Sequence, residues 1–338
     1  MNCQDTCRNN QGTRYNDQSI TNNQISISKL FSWLLRFRIC LVIVSWLLII
    51  TSANAIGQSG ADIAVLNAGV GARPLAMGGA FTAVADNADA PYWNPAGLGF
   101  ISSQEITSSQ TRLSTDADHY YLSYVTPALG GTIGLSWIQV GLGNIAQTSS
   151  EVDIHNEVQN ISLFSYFSSA YLLSYGKKLN DHIAFGLTAK YLSSEMFGIS
   201  GGSGWGYSLT PGIMLRLDPC HLTLGLKIDE LINTQQWGTG TVENVPPKAR
   251  LGLSWLPWSE SRVAVDISQT VKSGYSPEVV TGFEWAQGGI AYRAGYNSSG
   301  LTAGVGFTVG HARLDYGYVQ DANFSSNNVH RISLSGIW

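Results

Sequence analysis

From residue 101 to the end of the chain, apolar and polar positions alternate in short segments separated by Gly, Pro, Asn, Asp and Ser. Ile183, Phe185, Leu187, Ala189 and Tyr191 share one face of such a segment, and Leu222, Leu224, Leu226 and Ile228 share another. The stripe recurs in Leu251, Leu253 and Trp255, in Val263, Val265 and Ile267, and in Leu301, Ala303, Val305, Phe307 and Val309. A period of two marks strands. The pattern predicts about fourteen of them, with ends uncertain by a few residues. They fall near 104–112, 118–127, 131–140, 166–178, 182–195, 204–217, 220–228, 247–256, 261–270, 278–287, 289–297, 300–310, 311–320 and 329–338. Many approach the length of about 9–11 residues that a tilted strand needs to cross a bilayer.

The opposite faces are rich in Gly, Ser and Thr, and they also carry Lys190, Lys227, Arg250, Asp266, Glu284, Arg293, Arg313, Asp315 and Arg331. In a sandwich these residues would be solvated; in a membrane barrel they would line the lumen. A charge on the lipid face costs about 2–4 kcal/mol at the midplane, so in a barrel all nine are expected to point inward. Mixed signs on neighbouring strands favour a ladder of ion pairs over a selective pore. Arg313 and Asp315, beside Arg331, are its expected centre.

Composition separates the two architectures. Only 12% of residues are charged, 11% are aromatic, and Gly numbers 37. A soluble chain carries about 25% charged residues. Yet mean hydropathy is only +0.03, which excludes a bundle of membrane helices. Strands that are apolar outside and polar inside average to that neutrality. Tyr120, Tyr121, Tyr191, Trp205, Trp255, Trp258, Trp285, Tyr316 and Tyr318 fall near predicted strand ends, as girdle residues would.

The N-terminal region reads as an export leader. Arg36 and Arg38 precede the apolar run Ile39 to Ile50, and Ala53 and Ala55 form a small-residue cleavage site. That run is shorter than the roughly 20 residues a spanning helix requires. Residues 1–55 are therefore expected to be removed. Residues 56–100 are Ala- and Gly-rich and do not alternate; residues 101–338 do. Cys220 then stands alone and is expected to pack as a small apolar residue. A net charge of −4 gives no basic face for a nucleic-acid partner.

The chain closes on Ile332, Leu334, Gly336 and Trp338 along one face. A last strand ending in an aromatic resembles the signal read by the outer-membrane barrel assembly machinery. Its free edge can template pairing, and in lipid that edge must close on the first strand.

The segment Gly69-Val70-Gly71-Ala72-Arg73-Pro74-Leu75-Ala76-Met77-Gly78-Gly79-Ala80-Phe81-Thr82-Ala83-Val84-Ala85-Asp86-Asn87, continued by Tyr92-Trp93-Asn94-Pro95-Ala96-Gly97-Leu98, resembles the opening signature of the PorV/PorQ family. The second part is also similar to an element of FadL-like transporters of the OMPP1/FadL/TodX type. The resemblance implies an all-β, transmembrane antiparallel β-barrel of about fourteen strands, with the N-terminal segment folded inside as a plug or hatch. It implies that Gly71, Arg73, Met77, Gly78, Gly79, Asn94, Pro95, Ala96 and Gly97 build that plug. Small residues suit close backbone packing, and Asn94-Pro95-Ala96-Gly97 reads as a tight turn.

Catalysis finds little support. The six histidines are scattered, no HExxH spacing occurs, and Gly201-Gly202-Ser203-Gly204 lacks the Lys of a phosphate loop. No cofactor or metal is expected. The leading expectation is a PorV/PorQ-type part in transport or protein secretion across the outer membrane, with secretion-system components as partners. A FadL-like passive channel for hydrophobic small molecules such as fatty acids is the alternative, with Phe81, Tyr92, Trp93 and Leu98 meeting the solute. A sealed structural barrel is the third. Outer-membrane lipid surrounds the protein in each case.

Overall fold

A computed structural model describes residues 63–113, 116–152, 158–320 and 328–338. The leader, including Ala53 and Ala55, lies outside the described residues. The first described stretch is compact and mostly irregular. It holds three short helices, α1 (Ala64–Asn67), α2 (Ala72–Ala76) and α3 (Ala90–Trp93), then a 3-10 turn at Pro95–Phe100.

The strands follow: β1 (Glu105–Arg112), β2 (Asp118–Ala128), β3 (Gly131–Val152), β4 (Val158–Lys178), β5 (Ile183–Phe197), β6 (Ser203–Leu217), β7 (Leu222–Asp229) and β8 (Ile232–Trp237). Next come β9 (Val242–Glu243), β10 (Lys248–Trp258), β11 (Ser261–Thr270), β12 (Glu278–Gln287), β13 (Ile290–Asn297), β14 (Gly300–Val309), β15 (Ala312–Val319) and β16 (Val329–Ile337). Each pairs antiparallel with its neighbours, β5 pairs β6, and β1 pairs β16 from Glu105↔Ile337 to Arg112↔His330. Fourteen of these strands close a barrel, and β8 and β9 extend its wall as a hairpin. The expected count and the expected antiparallel closure are what the structure has.

Local differences from the sequence reading have physical reasons. β3 and β4 run well past 140 and before 166, because they pair with each other as a ribbon beyond the end of β2 at Asp118↔Gly141. The strand expected at 220–228 starts later, since Asp218–Cys220 forms a 3-10 turn. Between β7 and β8 the register against β6 shifts, around Glu230 at φ 55°. Polar Asn233, Gln235 and Gln236 hid this continuation from the alternation.

The outer face is apolar. Leu135, Leu173, Leu251, Leu301, Ile332 and Leu334 are each more than half exposed. An apolar belt of this extent does not face water, and with a polar interior it is the arrangement of a membrane barrel. Among the described residues no helix is long and apolar enough to cross a membrane. Tyr121 departs from the girdle expectation: it points inward, is buried, and donates to Ala88 O at 3.0 Å. Cys220 is exposed in its turn and does not pack in a core, because Asp218–Cys220 is too short a link to tuck inward.

Candidate functional site: the plug and its seat

Residues 63–100 fill the barrel, and their backbone fits the wall closely. The positions that allow this are glycines on the inner faces of the strands. Gly176 and Gly186 are direct cross-strand partners, as are Gly186 and Gly212, Gly225 and Gly252, Gly282 and Gly295, and Gly304 and Gly317. A Cβ at Gly186 would run into the Pro95 carbonyl, and one at Gly212 into the Asn94 side chain. At Gly252 it would stand 2.8 Å from Ala83 N, and at Gly282 2.5 Å from Met77 O. Glycine is needed where two backbones approach this closely. In the sequence these glycines read only as filler on a polar face.

The signature residues build the plug from within. Gly71 sits at φ 77° before α2, where a Cβ would meet the Asp89 carboxylate at 2.6 Å. Gly78 and Gly79 also hold positive φ, 67° and 86°. Gly78 lies against the wall at Thr281 O, and Gly79 lies under Trp93. Met77 is fully buried. Asn94 caps the 3-10 turn, accepting from Ala96 N at 3.1 Å and donating to Thr82 O at 2.8 Å. It also donates to Ile213 O on β6 at 3.3 Å, so one buried amide ties turn, loop and wall. Pro95 opens the turn, and Gly97 packs on Ala85.

Charge fastens the plug on another side. Arg73 meets Asp86 at 2.5 Å and Glu284 at 2.7 Å. Asp86 also meets Arg262 at 2.7 Å, and Glu284 meets Arg293 at 2.7 Å. Arg293 continues to Asp315, Asp315 to Arg313, and Arg313 to Glu105. Signs alternate along the whole chain of eight groups, and plug residues Arg73 and Asp86 are two of its links. Asp266 accepts from Phe81 N and Thr82 N at 3.0 and 2.8 Å, anchoring the loop after α2.

The nine charges singled out in the sequence are all buried or half-buried on inner faces. Glu284, Arg293, Arg313 and Asp315 belong to the ladder. Lys227, Asp229 and Arg250 form a second cluster, and Lys190 meets Glu230 at 2.5 Å. Arg331 is not part of the ladder. It donates to Ala68 O, Gly69 O and Thr111 Oγ1, and so caps the carbonyl end of α1. Carbonyl acceptors cannot be read from residue identity, nor could the plug links Arg73–Asp86 and Asp86–Arg262 or the wall pair Glu105–Arg313. Phe81, Tyr92, Trp93 and Leu98 do not line an open entrance; they are the buried core of the plug. Phe81 and Tyr92 each meet Trp93 edge-on.

The terminal strand closes as its pattern suggests. Trp338 N donates to Gln104 O at 3.0 Å, Gln104 N donates to Trp338 O at 2.9 Å, and Trp338 Nε1 donates to Gln104 Oε1 at 2.7 Å. Gly198-Ile199-Ser200-Gly201-Gly202 has the spacing of a nucleophile elbow, but it lies in the turn between β5 and β6 with no helix after it. Among the described residues no group of three His, Cys, Asp or Glu side chains stands close enough to hold a metal.

This architecture has solved counterparts. The Pseudomonas putida toluene transporter TodX superposes with a TM-score of 0.58 at 14% identity, over 80% of this chain and 99% of TodX. The fold is that of a FadL-type outer-membrane barrel. CymD, a monoaromatic hydrocarbon channel, gives 0.52 at 14% identity, over 80% of this chain and 96% of its own. A Pseudomonas aeruginosa FadL homologue gives 0.51 at 10%, over 80% and 98%. No family profile matches the chain. No curated protein matches it either.

Proposed function

We propose that this protein is an outer-membrane channel that passes small hydrophobic solutes, with residues 63–100 as its gate. The observation that carries the reading is the seat itself. A lumen filled by the chain's own N-terminal segment needs that segment to shift before anything passes. The segment is held by glycine contacts, hydrogen bonds and ion pairs, which can part and re-form. The barrel neighbours that transport toluene or conduct monoaromatic hydrocarbons support the choice of solute. In this reading passage is diffusive, down the solute's own gradient.

The test is uptake of a labelled aromatic hydrocarbon by cells whose outer membrane carries the barrel. Uptake above that of cells lacking it supports the channel. Equal uptake, together with failure of an exported protein to leave the deletion strain, would favour the second reading: a part in protein secretion of the PorV/PorQ type. That reading rests on the Gly69–Asn87 and Tyr92–Leu98 signatures, which form the core of the plug. In both readings the chain is exported, and Trp338 addresses it to the barrel assembly machinery. Deleting Trp338 removes three hydrogen bonds to Gln104 and should lower the yield of heat-modifiable barrel; an undiminished yield would refute that role.

A further inference from the structure

A pocket of about 280 Å3 opens at the short-turn end of the barrel, between the plug loop at Ala83–Asp86 and the ends of β6, β7, β10 and β11. Its lining divides by chemistry. Val84, Leu217 and Leu256 present carbon, while Arg216, Thr223, Ser254 and Arg262 present donors. The register sets three of these donors in one row, because Arg216 pairs with Thr223 and Thr223 pairs with Ser254. Directly opposed residues stand about 5 Å apart at Cβ, so a single small group can reach all three.

The cations here have donors to spare. Arg216 is half-buried with its guanidinium 3.7 Å over the Phe100 ring. It forms no ion pair among the described residues; Asp218, two positions on, lies 3.3 Å from His182 Nδ1. Arg262 gives Nη1 to Asp86, but its Nε is buried with no protein acceptor. Of the two carboxylates that line the pocket, Asp218 is exposed and the plug's Asp86 is already held between Arg73 and Arg262. The guanidinium of Arg216 is therefore left without an ion-pair partner at this mouth among the described residues.

We propose that this pocket binds a small organic anion, a monocarboxylate with a compact apolar body. A planar guanidinium matches a planar carboxylate, and the two hydroxyls complete its oxygens. The apolar wall takes the body, and the volume leaves no room for a long chain. A compact dianion such as phosphate suits the site less, because it would face Asp86 and Asp218 and leave the leucines without a partner. The site does not depend on any solute passing the plug, so it stands or falls separately from the channel reading.

The experiment is isothermal titration of the purified full barrel in detergent with benzoate, with its neutral isostere benzamide, and with inorganic phosphate. Benzoate should bind one to one, about tenfold or more tighter than benzamide, the worth of a charge-assisted hydrogen bond. Arg216→Gln and Thr223→Val should each weaken benzoate while leaving heat-modifiable migration unchanged. Thr223→Val preserves shape and carries the test alone if Arg216→Gln does not fold. The proposal is overturned if benzoate does not bind, if benzamide binds as well, if Thr223→Val has no effect, or if phosphate binds more tightly.

Discussion

On the β4–β6 side of the barrel, the plug packs uncharged groups against wall glycines: the Pro95 carbonyl on Gly186, Leu98 and Gly99 on Gly176, and the Asn94 amide on Gly212. No ion pair joins plug and wall there among the described residues. On the β11–β15 side the plug also lies against glycines, at Gly282, Gly295, Gly304 and Gly317, but there Arg73 and Asp86 are threaded into the wall's ladder of charges. The first contact is steric and indifferent to protonation. The second adds a term that can be removed one charge at a time. The same segment is thus seated by shape on one side and by shape plus electrostatics on the other, so the charged side is where the seat can be released without rebuilding the wall.

The largest effect should come from spoiling the steric side. Gly186→Leu places a side chain where the Pro95 carbonyl sits, which no rotamer can avoid. Planar-bilayer recordings should show large, persistent conductance, whereas Gly143→Ala, whose nearest neighbour is Ser165 Oγ at 3.8 Å, should stay closed. A closed Gly186→Leu barrel would mean that the glycine belt does not define the seat. Next in size is Arg73→Gln. Breaking a buried pair costs about 3–5 kcal/mol, though Glu284 keeps Arg293 and Asp86 keeps Arg262, so the lower end applies. Frequent brief openings should replace the closed state. Asn94→Ala should cost about 1–3 kcal/mol, because the buried Thr82 carbonyl loses a donor. Its effect should stay with the 3-10 turn and show as a lower thermal midpoint with little added conductance.

The smallest effect concerns pH. Burial would raise the Asp86 carboxyl, but the Arg73 and Arg262 guanidiniums outweigh it and hold it well below the usual carboxylate range. A depressed carboxylate contributes stability above its unfolded value of about 3.9 and loses it as pH falls below. Conductance should therefore be flat from about pH 8 to 5 and rise only under about pH 4. Asp86→Asn should be flat throughout; an unchanged acid response in that variant would remove Asp86 from the account.

Much of this was legible in the sequence, for one reason. In a barrel wall the two faces meet opposite solvents, so side-chain alternation records both strand and orientation, and the nine inner charges follow from it. The plug is different. Its helices have four or five residues each, too short for any period, and only the resemblance of Gly69–Leu98 to a known signature announced it. Partnership was hidden wherever the acceptor is a backbone carbonyl, as at Arg331, or where the partner is 211 residues away, as for Arg73 and Glu284. Tyr121 looked like a girdle residue because its neighbour Tyr120 is on the other face. The wall glycines carried no pattern of their own; they acquire meaning only once the register pairs Gly176 with Gly186 and Gly186 with Gly212.

Hydrogen exchange over the plug, followed in lipid for the wild type and Arg73→Gln, tests the two-sided seat most directly. Exchange should rise across residues 72–86 in the variant and stay as slow as wild type across residues 94–100. Equal acceleration of both stretches, or of neither, would contradict a seat divided between charge and shape.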